Sequence, residues 1–228
     1  APGRVMVWHW SALAHFTEWP DIYSLPDDLR FLQKCGVAGP HLQVGWGSLN
    51  WAWLRNWLFL KLAWNPQADA DKLIKQFVTD YYGKKAAPHI LKCLQLSYDA
   101  YQQSGFAPSG VRWTGWPSTM RLKMYPPDIL SKMDNLLAGA QKAASKEKDS
   151  IYAKHALHAR GTTVDHMILD GAKATEPFRP TTKFFQGRRW VVAGGRKDLP
   201  ERISRIVEVL AIGDLGAHGA LRETSWFV

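Results

Sequence analysis

The sequence predicts a mainly α-helical protein with a small α/β part at its start. Two observations carry that prediction. The first 66 residues read strand, helix, strand, long helix, and most of the chain beyond them reads as successive helices. Gly and Pro punctuate the boundaries, as at Gly36, Pro66, Gly83 and Gly105.

Val5-Met6-Val7-Trp8 is short, apolar and β-branched, so it reads as a buried strand running on to His9 and Trp10. A loop with titratable and aromatic residues follows, from His15 to Asp21. Ser24 is placed to cap a helix over Leu25–Lys34, with Pro26 in its first turn and Gly36 at its end. Val37–Val44 reads as the second strand, and Gly45 and Gly47 form the turn after it. A β–α–β–α order implies parallel strands joined by a crossover helix, as in an open sheet or a barrel. Two strands cannot close a barrel, so on the barrel reading the chain carries its final portion.

The stretch from Gly45 to Pro66 contains Trp46, Trp51, Trp53, Trp57 and Trp64, five of the twelve tryptophans. Ser48 is placed to cap its helix. At 100° per residue, Trp57 and Trp64 fall within about 40° of Trp53, and leucines and Phe59 fill much of the remaining circumference. A helix apolar nearly all round is expected to be buried, so most of these indoles are assigned to the core. Arg55, Asn56 and Lys61 interrupt the run, which stays short of the ~20 apolar residues of a membrane span.

Further helices are expected over Asp69–Tyr82, Ala86–Gln103, Pro127–Ser145 and Glu147–Ala174, with a loop at 105–119. The tail suggests a short strand, Arg189–Ala193, and a helix, Leu199–Ala211. The organisation is 1–66, 67–174 and an irregular or helical tail, 175–228.

The net charge of +9 points to an anionic partner, but the basic residues are dispersed. Their densest runs are Gly83-Lys84-Lys85, Lys142 to Lys148, and Gly187-Arg188-Arg189. None interleaves aromatics in the manner of a nucleic-acid groove, so nucleic acid is not an expected partner. Cys35 and Cys93 fall within apolar helical patterns and are expected to be free, buried thiols. The chain opens Ala-Pro-Gly with no signal-peptide pattern.

Taken together, several segments resemble a bacterial family classed as a domain of unknown function, of the 4838 type. They are the strand through His9-Trp10, Leu25-Pro26-Asp27-Asp28-Leu29, Trp64-Asn65-Pro66 with Ala68-Asp69-Ala70-Asp71, and Tyr81-Tyr82-Gly83-Lys84-Lys85-Ala86-Ala87-Pro88. Its members occur with polysaccharide-utilisation systems and are similar in fold to α-glucuronidases and N-acetylhexosaminidases. The resemblance implies the last two β/α units of a (β/α)8-type barrel followed by a helical region, and a secreted or periplasmic location. It implies a glycoside hydrolase-like protein that acts on or binds a polysaccharide or oligosaccharide, and the positive charge would suit an acidic glycan such as one containing uronic acid. The missing N-terminal barrel segment would come from elsewhere in a longer protein, or a homo-oligomer would cover the open strands.

Barrel enzymes place their chemistry at the C-terminal ends of strands. There His9, Trp10, His41 and Gln43, with Trp46 in the following loop, would line the sugar-binding side. Glycoside hydrolysis needs an acid and a base or nucleophile. Glu18 and Asp21 are the carboxylates of the first strand-end loop, and with His9 they are the catalytic candidates. The resembled hydrolases carry their key acids mainly on earlier strands, so a non-catalytic helical carbohydrate-binding or assembly module is the alternative.

No cofactor is expected. His155, His158, Asp165 and His166 share a broad helical face. The later pair lies some 15 Å further along the helix, however, and two ligands rarely hold a metal. Neither a phosphate-binding Gly-rich loop nor a Gly-x-Ser-x-Gly elbow is present.

Overall fold

A computed structural model describes residues 5–10, 20–43, 51–105 and 124–161. These residues are mostly helical, with one small two-stranded parallel sheet. Strands β1 (Met6–Trp10) and β2 (Gly39–Gln43) pair in the register Trp8↔His41, His9↔Leu42 and Trp10↔Gln43. The described residues between them form a 3₁₀ turn, Asp21–Tyr23, and helix α1 (Leu25–Lys34). Helix α2 (Ala52–Trp64) completes the β–α–β–α unit. Four further helices follow among the described residues: α3 (Ala70–Tyr82), α4 (Ala87–Gln103), α5 (Pro127–Ala144) and α6 (Ile151–Arg160).

A few contacts fix the direction of every element. The amide of Ala38 donates to the carbonyl of Val5 at 2.9 Å, so the end of α1 lies at the start of the strands. The start of α1 therefore lies at their C-terminal ends. Asp21 meets Arg55 and Arg30 meets Pro66, which makes α1 and α2 parallel. The Trp51 and Tyr82 rings touch edge to face at 6.1 Å, bringing the start of α2 to the end of α3.

Helices α3–α6 form an up-and-down four-helix bundle in which each helix packs on its two neighbours, α3 and α6 closing the ring. Gly83 lies against Tyr152, Gly139 against His89, and Arg160 pairs with Asp134 at 2.7 Å. One apolar core runs from Ile22 and Leu25 through Leu58, Leu62, Val78 and Ile90 to Leu137 and Ala159.

Local signals explain several helix ends. Asp69 accepts a hydrogen bond from the Lys72 amide at 3.1 Å and so caps α3. Gly83 ends α3 with φ of 85°, which a side chain would strain and for which the adjacent Tyr152 ring leaves no room. Ser24 precedes α1, but its hydroxyl donates back to the Asp21 carbonyl and not forward into the helix.

Other expectations are corrected. Helix α2 starts at Ala52, after Trp51 in a left-handed conformation (φ 57°), and Ser48 lies outside the described residues. The last described helix starts at Ile151, not Glu147. Asp149 accepts from the Ile151 amide, and Glu147 is drawn off to the Lys85 amide. Cys93 is buried, but Cys35 is exposed at the end of α1, on the helix side away from the core. The expected strand and helix of the tail lie outside the described residues.

The tryptophans are the largest correction. Trp51 is in the core and Trp57 is half-buried, whereas Trp53 is exposed and Trp64 is 92% exposed. Trp53, Trp57, Leu60 and Trp64 fall within about 60° on one face of α2, and Leu54, Leu58 and Leu62 on the opposite one pack into the core. The helix has apolar residues all round but only one face meets the rest of the fold, so composition overstated its burial.

Candidate functional site at the strand ends

The parallel pairing brings the C-terminal ends of β1 and β2 side by side, with Trp10 opposite Gln43. Strand alternation divides the register positions into two sets. Met6 and Trp8 with His41 form one set, and these three are exposed; Trp8 is 64% so. Trp10 and Gln43 occupy positions of the same set. Val7 and Leu42 form the other, in which Leu42 packs on the core, and His9 occupies a position of that set.

The five strand-end candidates are thus sorted by backbone position. His41, Gln43 and Trp10 share one face of the sheet, His9 holds a position of the other, and Trp46 lies outside the described residues. Trp8 was missed by the sequence reading, which took it as a buried strand residue. The available signal was its period-2 relation to Trp10.

Of the carboxylates, Glu18 lies outside the described residues. Asp21 is buried, and its Oδ1 accepts from Nε of Arg55 at 2.7 Å. Each of the two side chains is under a tenth exposed. Burying one charge alone is costly, and pairing offsets that cost, so the bridge ties the turn after the first loop to the first turn of α2. Asp21 therefore stands at the strand-end side of the molecule, engaged by a guanidinium.

A second titratable cluster lies between α3 and α6. Nδ1 of His155 donates to the Tyr81 carbonyl at 2.6 Å, and the two rings stack with centroids 3.7 Å apart. Tyr81 stacks in turn on Phe77, which meets Trp57, over which Lys61 sits at 5.4 Å. The ring faces along this ladder cover one another, so it is packing, not a stacking platform for a ligand. Burial pushes His155 below the usual histidine range, against the opposing pull of the Tyr81 carbonyl and Asp149. His158 is pushed down to about 4, by burial and then by His155. Asp165 and His166 lie outside the described residues. Among the described residues no three metal-ligating side chains converge, and no helix is long and apolar enough to cross a membrane.

These features define a mostly helical protein in which a parallel β–α–β–α unit is packed on a four-helix bundle. Residues 3–95 match the family model described as a domain of unknown function (DUF4838). The match covers the α/β unit and α3 and stops within α4, so the second half of the bundle lies beyond it. No curated protein and no solved structure matches the chain.

Proposed function

We propose that the protein is carbohydrate-active and glycoside hydrolase-like, acting on or binding a polysaccharide at the C-terminal ends of β1 and β2. The observation that carries this reading is the exposed strand face bearing Trp8 and His41, beside the paired positions Trp10 and Gln43. Indole faces suit the apolar faces of sugar rings, and imidazole and carboxamide groups suit their hydroxyls.

On this reading β1 and β2 are the last two strands of a (β/α)8-type barrel, and the exposed Met6–Trp8 face is what a barrel would turn inward. Trp46 completes the sugar-binding side, Glu18 is the first catalytic candidate, and Asp21 and His9 are the others. The secreted or periplasmic location belongs to the same proposal. The similarity to a family of unknown function is compatible with it and names no substrate.

Fluorescence titration of the 228-residue chain against a panel of neutral and acidic oligosaccharides tests it. Saccharide binding that is weakened at least tenfold by Trp8→Ala or His41→Ala is the expected result. Absence of binding across the panel, or binding indifferent to both changes, sinks it. Reducing-sugar release that disappears in Glu18→Gln would add the catalytic half.

A second reading, a non-catalytic assembly module, is favoured by one specific observation. Trp53, Leu60 and Trp64 expose an apolar stripe on α2, and contiguous exposed apolar surface commonly marks contact between proteins. Sedimentation equilibrium separates the readings, because assembly through the stripe is lost in Trp53→Gln/Trp64→Gln while saccharide binding is not.

A further inference from the structure

The two densest basic runs of the described chain are about sixty residues apart in sequence and meet in the fold. The α3–α4 turn carries Lys84 and Lys85, and the α5–α6 turn carries Lys146 and Lys148. The Lys85 amide donates to Oε1 of Glu147 at 2.8 Å, and Nζ of Lys85 donates to the Lys146 carbonyl. Gly83 packs against the side chains of Glu147 and Tyr152. The turns are therefore laced together, and Lys84, Lys146 and Lys148 all remain exposed at that end of the bundle. Lys142 and Lys154, one turn into the adjoining helices, are exposed too.

The nearby carboxylates only partly offset this charge. Glu147 accepts from the Lys85 amide, Asp149 accepts from the Ile151 amide, and Asp80 stands about a turn back on α3. Against them stand Lys84, Lys85, Lys142, Lys146, Lys148 and Lys154, so this end stays net positive. This end is also the end of the molecule at which the strands finish. The start of α2 and the end of α3 meet there through Trp51 and Tyr82, and Asp21 holds Arg55 in the first turn of α2.

We propose that the laced turns bearing Lys84, Lys146 and Lys148 form a binding surface for a carboxylated polysaccharide chain. The inference rests on the carbohydrate reading above and extends it, because it assigns the substrate class as acidic. A long anionic chain engaged at the strand ends runs onto a lysine-rich surface at the same end of the molecule. Lysine ammonium groups on flexible stems suit carboxylates repeated along a mobile chain. The described part of the patch carries no arginine fork for bidentate phosphate contact and no exposed aromatic ring for stacking a base, so nucleic acid fits it less well.

The test uses the full chain against polygalacturonate, its uncharged methyl-esterified form, duplex DNA, and phosphatidylcholine vesicles containing phosphatidylserine. The variant is Lys84→Gln/Lys146→Gln/Lys148→Gln. The control, Lys34→Gln/Lys72→Gln/Lys75→Gln, removes equal charge from elsewhere, and circular dichroism verifies the fold of both. Polygalacturonate should bind with an affinity that falls as salt rises, at least tenfold more weakly to the patch variant and unchanged to the control.

Equal loss in both variants overturns the patch, because net charge alone would then explain binding. Binding to charged and esterified polymer alike, insensitive to the patch variant, overturns this inference and leaves the carbohydrate reading standing. Binding to neither polymer overturns this inference, and the oligosaccharide panel then decides the carbohydrate reading. If DNA or vesicles then bind in a patch-dependent way, the surface serves a different polyanion.

Discussion

The imidazole of His155 lies parallel to the ring of Tyr81 and donates to that residue's own carbonyl, so one residue of α3 holds α6 by both its side chain and its backbone. The contact works with a neutral, half-buried ring between the helices, and His158 one turn on is half-buried as well. The α3–α6 closure of the bundle therefore depends on an uncharged His155.

Acid should loosen the bundle. Both histidines have folded-state values below the unfolded value of 6.5, so the unfolded chain takes up protons first. Their contribution is complete above that value and is lost as the pH falls from about 6.5 towards about 4, the folded-state value of His158. At about 1.4 kcal/mol per unit, His158 alone contributes at most about 3 kcal/mol of this loss. Urea midpoints measured between neutral pH and about pH 4.5 should fall steadily, and the fall should be shallower in His158→Phe. A flat profile would contradict the desolvation of the two rings.

Breaking the Asp21–Arg55 bridge should be expensive. Asp21→Ala leaves a guanidinium buried without its carboxylate, which costs about 3–5 kcal/mol in comparable sites. Asp21→Ala/Arg55→Met should cost less than Asp21→Ala, because no buried charge is stranded. Chemical denaturation of the full cycle measures the coupling. Additive effects would mean that the pair does not act as a unit.

The two ends of the tryptophan run should respond oppositely. Trp64→Gln removes a side chain that touches little, and its effect should stay within about 0.5 kcal/mol. Trp51→Ala empties a buried site against Tyr82 and should cost about 3–5 kcal/mol. Acrylamide should quench Trp64 emission and leave that of Trp51 little affected, as single-tryptophan substitutions will resolve.

Gly139 sets the approach of α4 and α5. A Cβ there would meet Nδ1 of His89 at 2.8 Å, so Gly139→Ala forces that half-exposed ring aside. The helix-propensity gain of about 1 kcal/mol is then outweighed by a steric cost of about 1–3 kcal/mol. Thermal melts should show Gly139→Ala destabilised in the native background. In a His89→Ala background the same substitution should be stabilising, a change of sign that a purely local helix effect cannot produce.

Much of the fold was legible before any coordinates. The end of α3 could be placed because Gly83 follows it with positive φ, and its start because Asp69 supplies the cap. Strand β1 was legible from Val5-Met6-Val7-Trp8, and the parallel pairing from the helix between the strands. The start of α6 was not, because Glu147 is spent on a contact with Lys85, which no local pattern encodes. Of the site, the strand-end position of His41 and Gln43 was readable, and so was the alternation that separates His9 from Trp10. That His41 and Gln43 share a face with Trp10 and not with His9 depended on register, which only the pairing sets.

Local chemistry, which the sequence carries by itself, determined the limits of α1 and α3, since caps, turn glycines and periodicity act within a few residues. The tertiary structure alone decided which faces are buried and which charges are neighbours. Trp64 is exposed and Trp51 buried on chemically similar stretches because only one face of α2 meets a partner. Asp21 finds Arg55 because α1 and α2 run parallel with their starts at the same end. The lysines of two distant turns share one surface because the bundle helices run antiparallel and return their ends to the same side. Burial and long-range electrostatics depend on that packing, and no window of residues contains it.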